Sequence, residues 1–263
     1  MQYKSLAGTI LGSGLAGYIS SIVNANRLLV VYYHHVLPKE KMENLAVDDN
    51  FIDTETFERQ LEFFSRRYRC VTDIDIARAI ENGDRLGQRS VCITFDDGFA
   101  DNYKYVFPLL EKYGLKATFY ITTSRIRLNE TNKEFMSWEE LKELVSRGHS
   151  IGAHTISHRI LSRLSPEEIE TEIAGSKREL EEKLNIRVVS FAYPHGKAGD
   201  IPAAICEQIL KKHGFSMAVT TLGGFVPLSG TFNPFWMSRI GFSKVEPFSF
   251  FLAKAYWGAF WQR

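Results

Sequence analysis

The chain has 263 residues, of which 44% are apolar and 24% charged, enough to bury the core of one large domain or of two small ones. Its formal net charge is only +1, which gives no electrostatic case for nucleic acid as a partner. The three cysteines, Cys70, Cys92 and Cys206, are too few and too widely spaced for a disulfide framework or a zinc-ribbon pattern.

Residues 1–27 form an N-terminal segment that has no charged residue from Ser5 to Asn26. An apolar stripe at helical spacing runs along it, made of Leu11, Leu15, Ile19 and Ile22. Three interpretations stay open: a secretory signal peptide, an interfacial amphipathic helix on a membrane, and a helix packed on the protein's own surface. We favour an attached helix over a cleaved signal, because the first strand begins at Leu28 with almost no linker. The glycine-rich run 12–17 has no strand before it, so no dinucleotide cofactor is predicted.

From residue 28 to residue 245, short β-rich runs alternate with helical patterns. The predicted strands are 28–33, 69–74, 90–95, 117–122, 149–154, 187–193 and 216–221, with 237–242 as one more. The predicted helices are 137–148, 165–184 and 200–214. This alternation predicts an α/β fold with parallel strands and helical crossovers. A distorted barrel is the natural closure, and residues 28–245 are then a single catalytic domain with amphipathic helical ends.

Residues 246–263 predict an aromatic C-terminal helix, with seven aromatic side chains in the run FSFFLAKAYWGAFWQR. Two interpretations carry about equal weight. The helix could cap the domain, or its rings could lie at the depth of lipid headgroups. Together with the uncharged N-terminal segment, it favours peripheral association with a membrane surface.

Polar residues directly follow four of the predicted strands. They are His34 and His35, then Asp96 and Asp97, then the run from His154 to His158, and finally Pro194, His195 and Gly196. In barrels of parallel strands the catalytic groups gather at the carboxyl ends of the strands. We therefore expect these residues to meet at one rim.

His154 and His158 are four residues apart, so both imidazoles can face the same side. Two imidazoles and one carboxylate form a common zinc set that leaves a position open for water. Side chains of successive residues leaving a strand point in different directions. One member of the Asp96–Asp97 pair can therefore bind a cation while the other acts as general base on a water molecule.

The motifs TFDDG, HTISH and FAYPHG, in this order and spacing, resemble those of the polysaccharide deacetylase family, which is carbohydrate esterase family 4 with the NodB-homology domain. The opening YHHVLP at 33–38 is also similar to that of many members, and the resemblance covers roughly residues 28 to 242. It implies a distorted (β/α)7-type barrel and hydrolysis of an N-acetyl, sometimes O-acetyl, group on a sugar. It also implies a divalent metal, usually zinc, with Co²⁺, Mn²⁺ or Ni²⁺ as alternatives.

Carried over residue by residue, the resemblance implies that Asp96 is the catalytic base. It implies metal ligation by Asp97, His154 and His158. The backbone N–H of His195 would be an oxyanion donor.

The sequence departs from the family pattern in three places. Ala192 stands where an arginine usually orients the base, and we expect Arg239 to supply that guanidinium instead. His195 replaces an aromatic residue. No L-x-H motif provides a general-acid histidine, and His34 is our candidate for protonating the leaving amine. His35 should point elsewhere if the strand continues.

The leading hypothesis is a metal-dependent hydrolase that removes N-acetyl groups from N-acetylhexosamine units of a glycan. If the chain ends bind a membrane, a lipid-linked or surface-polysaccharide precursor becomes a plausible substrate. Two alternatives remain: a catalytically impaired glycan-binding or assembly protein, and an amide hydrolase for a non-sugar substrate.

Overall fold

The computed structural model describes residues 27–43, 50–84, 86–126, 134–227, 232–242 and 246–258. The predicted N-terminal apolar stripe and the last five residues of the aromatic tail lie outside this part. No helix within the described ranges is long and apolar enough to cross a membrane.

The first half of the chain forms β1 (Arg27–Tyr33), β2 (His35–Leu37), α1 (Lys39–Met42), β3 (Phe51–Asp53), α2 (Thr54–Arg67), β4 (Arg69–Cys70), α3 (Asp73–Asn82), β5 (Ser90–Phe95), a π-helix (Asn102–Val106), α4 (Phe107–Lys112) and β6 (Ala117–Ile121). The second half forms α5 (Trp138–Ser146), β7 (Ser150–Ala153), a 3₁₀ turn (Leu161–Arg163), α6 (Pro166–Leu184), β8 (Ser190–Ala192), a second 3₁₀ turn (Ala198–Asp200), α7 (Ala203–Lys212), β9 (Met217–Val219), β10 (Val226–Pro227), β11 (Ile240–Gly241) and α8 (Phe248–Trp257).

The main sheet is curled and mixed, with the strand order β10–β1–β5–β6–β7–β8–β9. Strands β1 and β5 to β9 run parallel, and among the described strands of this sheet only β10 is antiparallel to its neighbour. Met237 bridges to Val219 at the end of β9, and three residues later β11 begins and pairs with β1. The path of strands thus returns to its start, and the predicted distorted α/β barrel is confirmed.

Alternate residues of a strand point to opposite faces of the sheet, and here each face has its own core. Facing the helices are Leu29, Val31 and Tyr33 of β1 with Val91, Ile93 and Phe95 of β5. Leu28, Val30 and Cys92 point to the concave face. Continued along each strand, the alternation brings Thr94, Asp96 and His34 to the concave side, while His35 falls on the other.

Several of the described helices begin at side-chain caps that the sequence encodes. Capping boxes join Ser137 to Glu140 and Ser165 to Glu168, as the sequence predicts. A third box, Thr72 with Asp75, corrects the prediction for 69–74. The strand ends at Cys70, because α3 starts at Asp73 once Thr72 has capped it.

Two further predicted strands, 187–193 and 216–221, are shorter in the structure. The N–H of Val188 donates to the carboxylate of Glu181 on α6, and the N–H of Thr220 donates to the carbonyl of Met237. The first bond takes Val188 out of the parallel ladder, so β8 starts only at Ser190. The second belongs to the isolated parallel bridge between Val219 and Met237, and β9 ends at Val219.

Helix α8 confirms a C-terminal helix over its described residues, and it packs against the domain. Phe251 is 1% exposed and its ring contacts those of Phe63, Phe64 and Phe242. No described residue of this helix is fully exposed. This burial is what the capping interpretation requires.

Candidate metal centre and active site

The carboxylate of Asp96 is held by Arg239, a buried arginine that directly precedes β11. Arg239 donates from Nη1 and Nη2 to the two Asp96 oxygens, at 2.7 Å each. The guanidinium is 0% exposed and also donates to Thr94 Oγ1 at 3.1 Å and to the Thr220 carbonyl at 3.0 Å. The bidentate geometry fixes the plane of the Asp96 carboxylate.

This pairing sets the charge of Asp96. Burial by itself would raise its pKa, but the charge of Arg239, with His154 and His34 adding to it, holds the pKa well below the ordinary carboxyl value. Asp96 is therefore ionised at neutral pH, as a proton acceptor must be.

Asp97 leaves the strand in another direction and meets two histidines. Its Oδ1 lies 3.6 Å from His154 Nε2 and 3.2 Å from His158 Nε2. One ligand atom from each of these three residues lies within 4.8 Å of the others. Asp97 Oδ1 is buried and has no hydrogen-bond partner in the described structure. A buried, unsatisfied carboxylate oxygen facing two imidazole nitrogens fits a divalent cation.

Both imidazoles are prepared for this role by their surroundings. His154 Nδ1 lies 2.7 Å from the carbonyl of Ala192, so its Nε2 is the nitrogen turned to Asp97. Burial, followed by the neighbouring His154, lowers the pKa of His158 to about 3. A neutral imidazole is the form that binds metal.

The loops that carry this centre are conformationally strained. Six non-glycine residues of the described structure have positive φ, and four of them are Asp97 (75°), Thr155 (65°), His158 (59°) and His195 (61°). Such conformations cost of order 1–3 kcal/mol each and persist where surrounding contacts impose them. Their concentration here marks the rim as the functional end of the barrel.

His34 lies on the same side as Asp96. Burial lowers its pKa, although the negative charges of Asp96 and Asp97 act in the opposite direction. A protonated His34 would therefore release its proton readily.

His35 points elsewhere, as the alternation requires. Its ring stacks on Phe51 at 4.4 Å and lies 3.7 Å from the ring of Phe99. Its Nδ1 is 2.6 Å from a carboxylate oxygen of Asp101. The next residue, Asn102, opens the π-helix and donates to the His34 carbonyl at 2.8 Å. The turn after TFDDG thus fixes the backbone of His34.

His195 is exposed, and its ring centroid lies 5.0 Å from that of His158. Its carbonyl accepts from the hydroxyl of Thr221 at 2.9 Å. Its backbone N–H has no acceptor among the described residues, so it is available to a ligand. The two remaining histidines do not join the centre. His149 is buried and accepts from the N–H of Ala117, and His213 pairs with Glu170.

Two residues at the centre, Arg125 and Glu172, were not predicted from the sequence. Arg125 Nη1 lies 2.6 Å from Asp97 Oδ1, although the contact lacks hydrogen-bond geometry. Arg125 follows β6 closely, and that position beyond a strand end was an available signal. Glu172 of α6 accepts hydrogen bonds from the loop between His154 and His158. The available signal was a charged residue at helical spacing from Ile169 and Ile173, on the buried face of α6.

A buried carboxylate–arginine pair beside a two-histidine, one-carboxylate set, at the carboxyl end of a parallel barrel, defines a metal-dependent hydrolase. The polysaccharide deacetylase family profile matches residues 83–218, just over half of the chain. The chain therefore belongs to the polysaccharide deacetylase family.

Individual relatives agree with this assignment. The YxkH protein of Bacillus subtilis (strain 168) is 32% identical over 157 residues, 60% of this chain and 53% of YxkH, so the match spans about half of that protein. A poly-beta-1,6-N-acetyl-D-glucosamine N-deacetylase of Staphylococcus aureus (strain MSSA476) is 24% identical over 210 residues, 73% of this chain and 72% of the relative.

Solved structures support the same fold. Streptococcus pyogenes deacetylase PplD, in complex with acetate, gives a TM-score of 0.73 at 26% identity, covering 86% of this chain and 96% of that one. IcaB from Ammonifex degensii gives 0.70 at 26% identity, covering 88% and 97%.

Proposed function

We propose that this protein hydrolyses the N-acetyl groups of N-acetylhexosamine units in a glycan. The observation that carries the proposal is the ionised Asp96, locked by Arg239 and adjacent to the set of Asp97, His154 and His158. A general base beside a cation site is the arrangement that amide hydrolysis needs.

Asp97, His154 and His158 would hold the metal, and zinc suits their donor set of two nitrogens and one oxygen, with Co²⁺, Mn²⁺ and Ni²⁺ as alternatives. When bound, such an ion polarises the acetyl carbonyl and makes water more acidic.

The protein's own groups then divide the proton transfers. Asp96 removes a proton from the water that attacks the acetyl carbon. The His195 N–H donates to the developing oxyanion. His34 gives a proton to the amide nitrogen as the C–N bond breaks, and the products are acetate and a free amine.

The test is substitution of Asp96 with asparagine in the full chain. D96N should keep its zinc but release acetate about 10²–10⁴-fold more slowly, because the asparagine side chain cannot accept the proton of water. The exposed Asp84 provides the matched control D84N, which should behave as the wild type. Acetate release at the wild-type rate by zinc-loaded D96N would contradict the assigned role.

The finer substrate proposal is a lipid-linked or surface-polysaccharide precursor. Its support is the similarity to a relative whose name states a poly-beta-1,6-N-acetyl-D-glucosamine substrate, and the composition of the chain ends. Acetate release from free, polymeric and lipid-linked N-acetyl sugars, with defined metal, would decide it. Equal rates on all three would remove the preference.

Peripheral membrane association is also a proposal, resting on the uncharged, apolar-striped segment 5–26. Flotation with liposomes should compare the full chain with residues 27–263. Helix α8 must stay in both proteins, because its removal would expose Phe63 and Phe64. Equal flotation of the two proteins would contradict a membrane role for residues 1–26.

The alternative of a catalytically impaired glycan-binding protein rests on the missing L-x-H motif alone. It predicts glycan binding without acetate release even when metal is added. The intact Asp96–Arg239 pair favours the enzyme.

A further inference from the structure

The carbonyls of the loop between the two histidines of the metal set accept hydrogen bonds from the backbone N–H groups of Thr123 and Ser124. Two of its N–H groups are bound by one side chain, the carboxylate of Glu172. Its Oε2 accepts from the N–H groups of Ile156 and Ser157, at 2.9 Å each. The hydroxyl of Ser157 donates to Oε1. Both carboxylate oxygens are thus committed to three donors of the same short loop.

Glu172 is a charged residue at a buried position. It is 7% exposed and lies on the inward face of α6 with Ile169, Ile173 and Leu180. A carboxylate in such surroundings is costly unless its hydrogen bonds are satisfied. The loop supplies all of the side-chain hydrogen bonds observed for Glu172, so it satisfies the carboxylate that α6 buries.

The loop would not hold its shape by itself. Thr155 and His158 both have positive φ, and the loop's internal hydrogen bond runs from the His158 N–H to Thr155 Oγ1 at 2.9 Å. Contacts from outside the loop must therefore maintain the conformation. Glu172 provides three of them at the centre of the loop.

The two histidines depend on this loop to different degrees. His154 directly follows β7, and the carbonyl of Ala192 fixes its ring. His158 lies at the far end of the loop, and its ring has no hydrogen-bond partner in the described structure. The backbone conformation of residues 155–157 therefore sets the position of the His158 ring.

We propose that Glu172 is a positioning residue of the metal centre, which holds the loop so that His158 faces Asp97 and His154. The inference rests on the metal set proposed above, and it makes α6 part of the metal site without contact to the ion. Partners that orient metal ligands in this way typically contribute about 10–100-fold in metal affinity.

The experiment measures the zinc dissociation constant of metal-free full-length protein by competition with a chelator. E172A should raise the constant about 10–100-fold. E172Q should stay close to the wild type, because its amide oxygen can accept from both N–H groups while its NH₂ donates to the Ser157 hydroxyl. E170Q is the matched control: Glu170 lies on the same helix but pairs with Lys212 and His213.

One further measurement and one further variant separate positioning from general stability. The absorption spectrum of the Co²⁺ protein should change in E172A and not in E170Q, because it reports ligand geometry. E172D keeps the charge but shortens the side chain by one methylene. If E172A does not fold, E172D should show the same weaker zinc binding and changed cobalt spectrum.

Wild-type zinc affinity and cobalt spectra in both E172A and E172D would overturn the proposal. A wild-type protein that binds no zinc would instead refute the metal-dependent function, and the positioning role with it. Tight wild-type binding with unaffected variants would remove only the role of Glu172.

Discussion

Asp96 and Arg239 each keep the other from being an isolated buried charge. Both are almost fully buried, and two hydrogen bonds join them. Removing one partner of such a pair typically costs about 3–5 kcal/mol of the free energy of unfolding. We expect this loss for R239M, measured by urea denaturation.

The double variant D96N/R239M should lose clearly less than the sum of its two single variants, because neither charge is then left alone. The difference is the coupling free energy of the pair. Additive losses would mean that the two residues do not stabilise each other.

The role of His34 can be tested through the leaving group. H34A should hydrolyse an N-acetyl sugar about 10²–10⁴-fold more slowly, because the amine cannot leave without a proton. An aryl acetate, whose aryloxide leaves unprotonated, should be affected far less. Metal content should not change.

The control for this experiment is H213A, since His213 pairs with Glu170 away from the centre. H213A should leave both rates unchanged. An equal loss on both substrates in H34A would show that His34 does something other than protonate the amine.

At the scale of elements, α8 packs against α2 and β11. Phe251 is 1% exposed, whereas Phe250 on the same helix is half-buried. F251A should lower the free energy of unfolding by about 3–5 kcal/mol, and F250A by clearly less. Urea denaturation of both variants measures the difference, and equal losses would mean that α8 does not pack as described.

Local sequence was enough to predict the elements with strong start signals. Helix α6 begins at Pro166 because Ser165 and Glu168 form a capping box that can be recognised in the sequence. The strand predicted at 69–74 was too long, because Thr72 and Asp75 form the capping box of α3. The alternation of residue types in 69–74 does not show where the strand stops and the helix cap begins. The π-helix after Asp101 had no sequence signal, and its first residue, Asn102, makes a tertiary contact with the His34 backbone that no local pattern predicts.

At the scale of the molecule, a buried carboxyl ties stability to pH. Burial, the largest influence, raises the pKa of Asp73, although hydrogen bonds from Ser150, Ser190, Thr118 and the Ile74 N–H act to lower it. Between the ordinary carboxyl pKa of about 4 and this raised value, the native state binds more protons than the unfolded state. The contribution of Asp73 to the free energy of unfolding therefore falls as pH rises through that window.

D73N should remove this dependence. Urea denaturation between about pH 4 and pH 8 should show wild-type stability falling relative to D73N as pH rises. D84N should instead run parallel to the wild type. Parallel curves for D73N would mean that Asp73 does not hold a proton in the folded protein.

The sequence by itself determined the alternation of strands and helices, the strand-end positions of the polar residues and, through three motifs, the family. These follow from local periodicity, capping and spacing, which the chain carries without folding. The departure at Ala192 led us to expect Arg239 beside the base, but only the tertiary structure showed its pair with Asp96 across 143 positions of sequence. It alone showed that Glu172 holds the loop before His158. Those pairings depend on how the sheet curls and on which face of a helix meets which loop, and no local pattern encodes either.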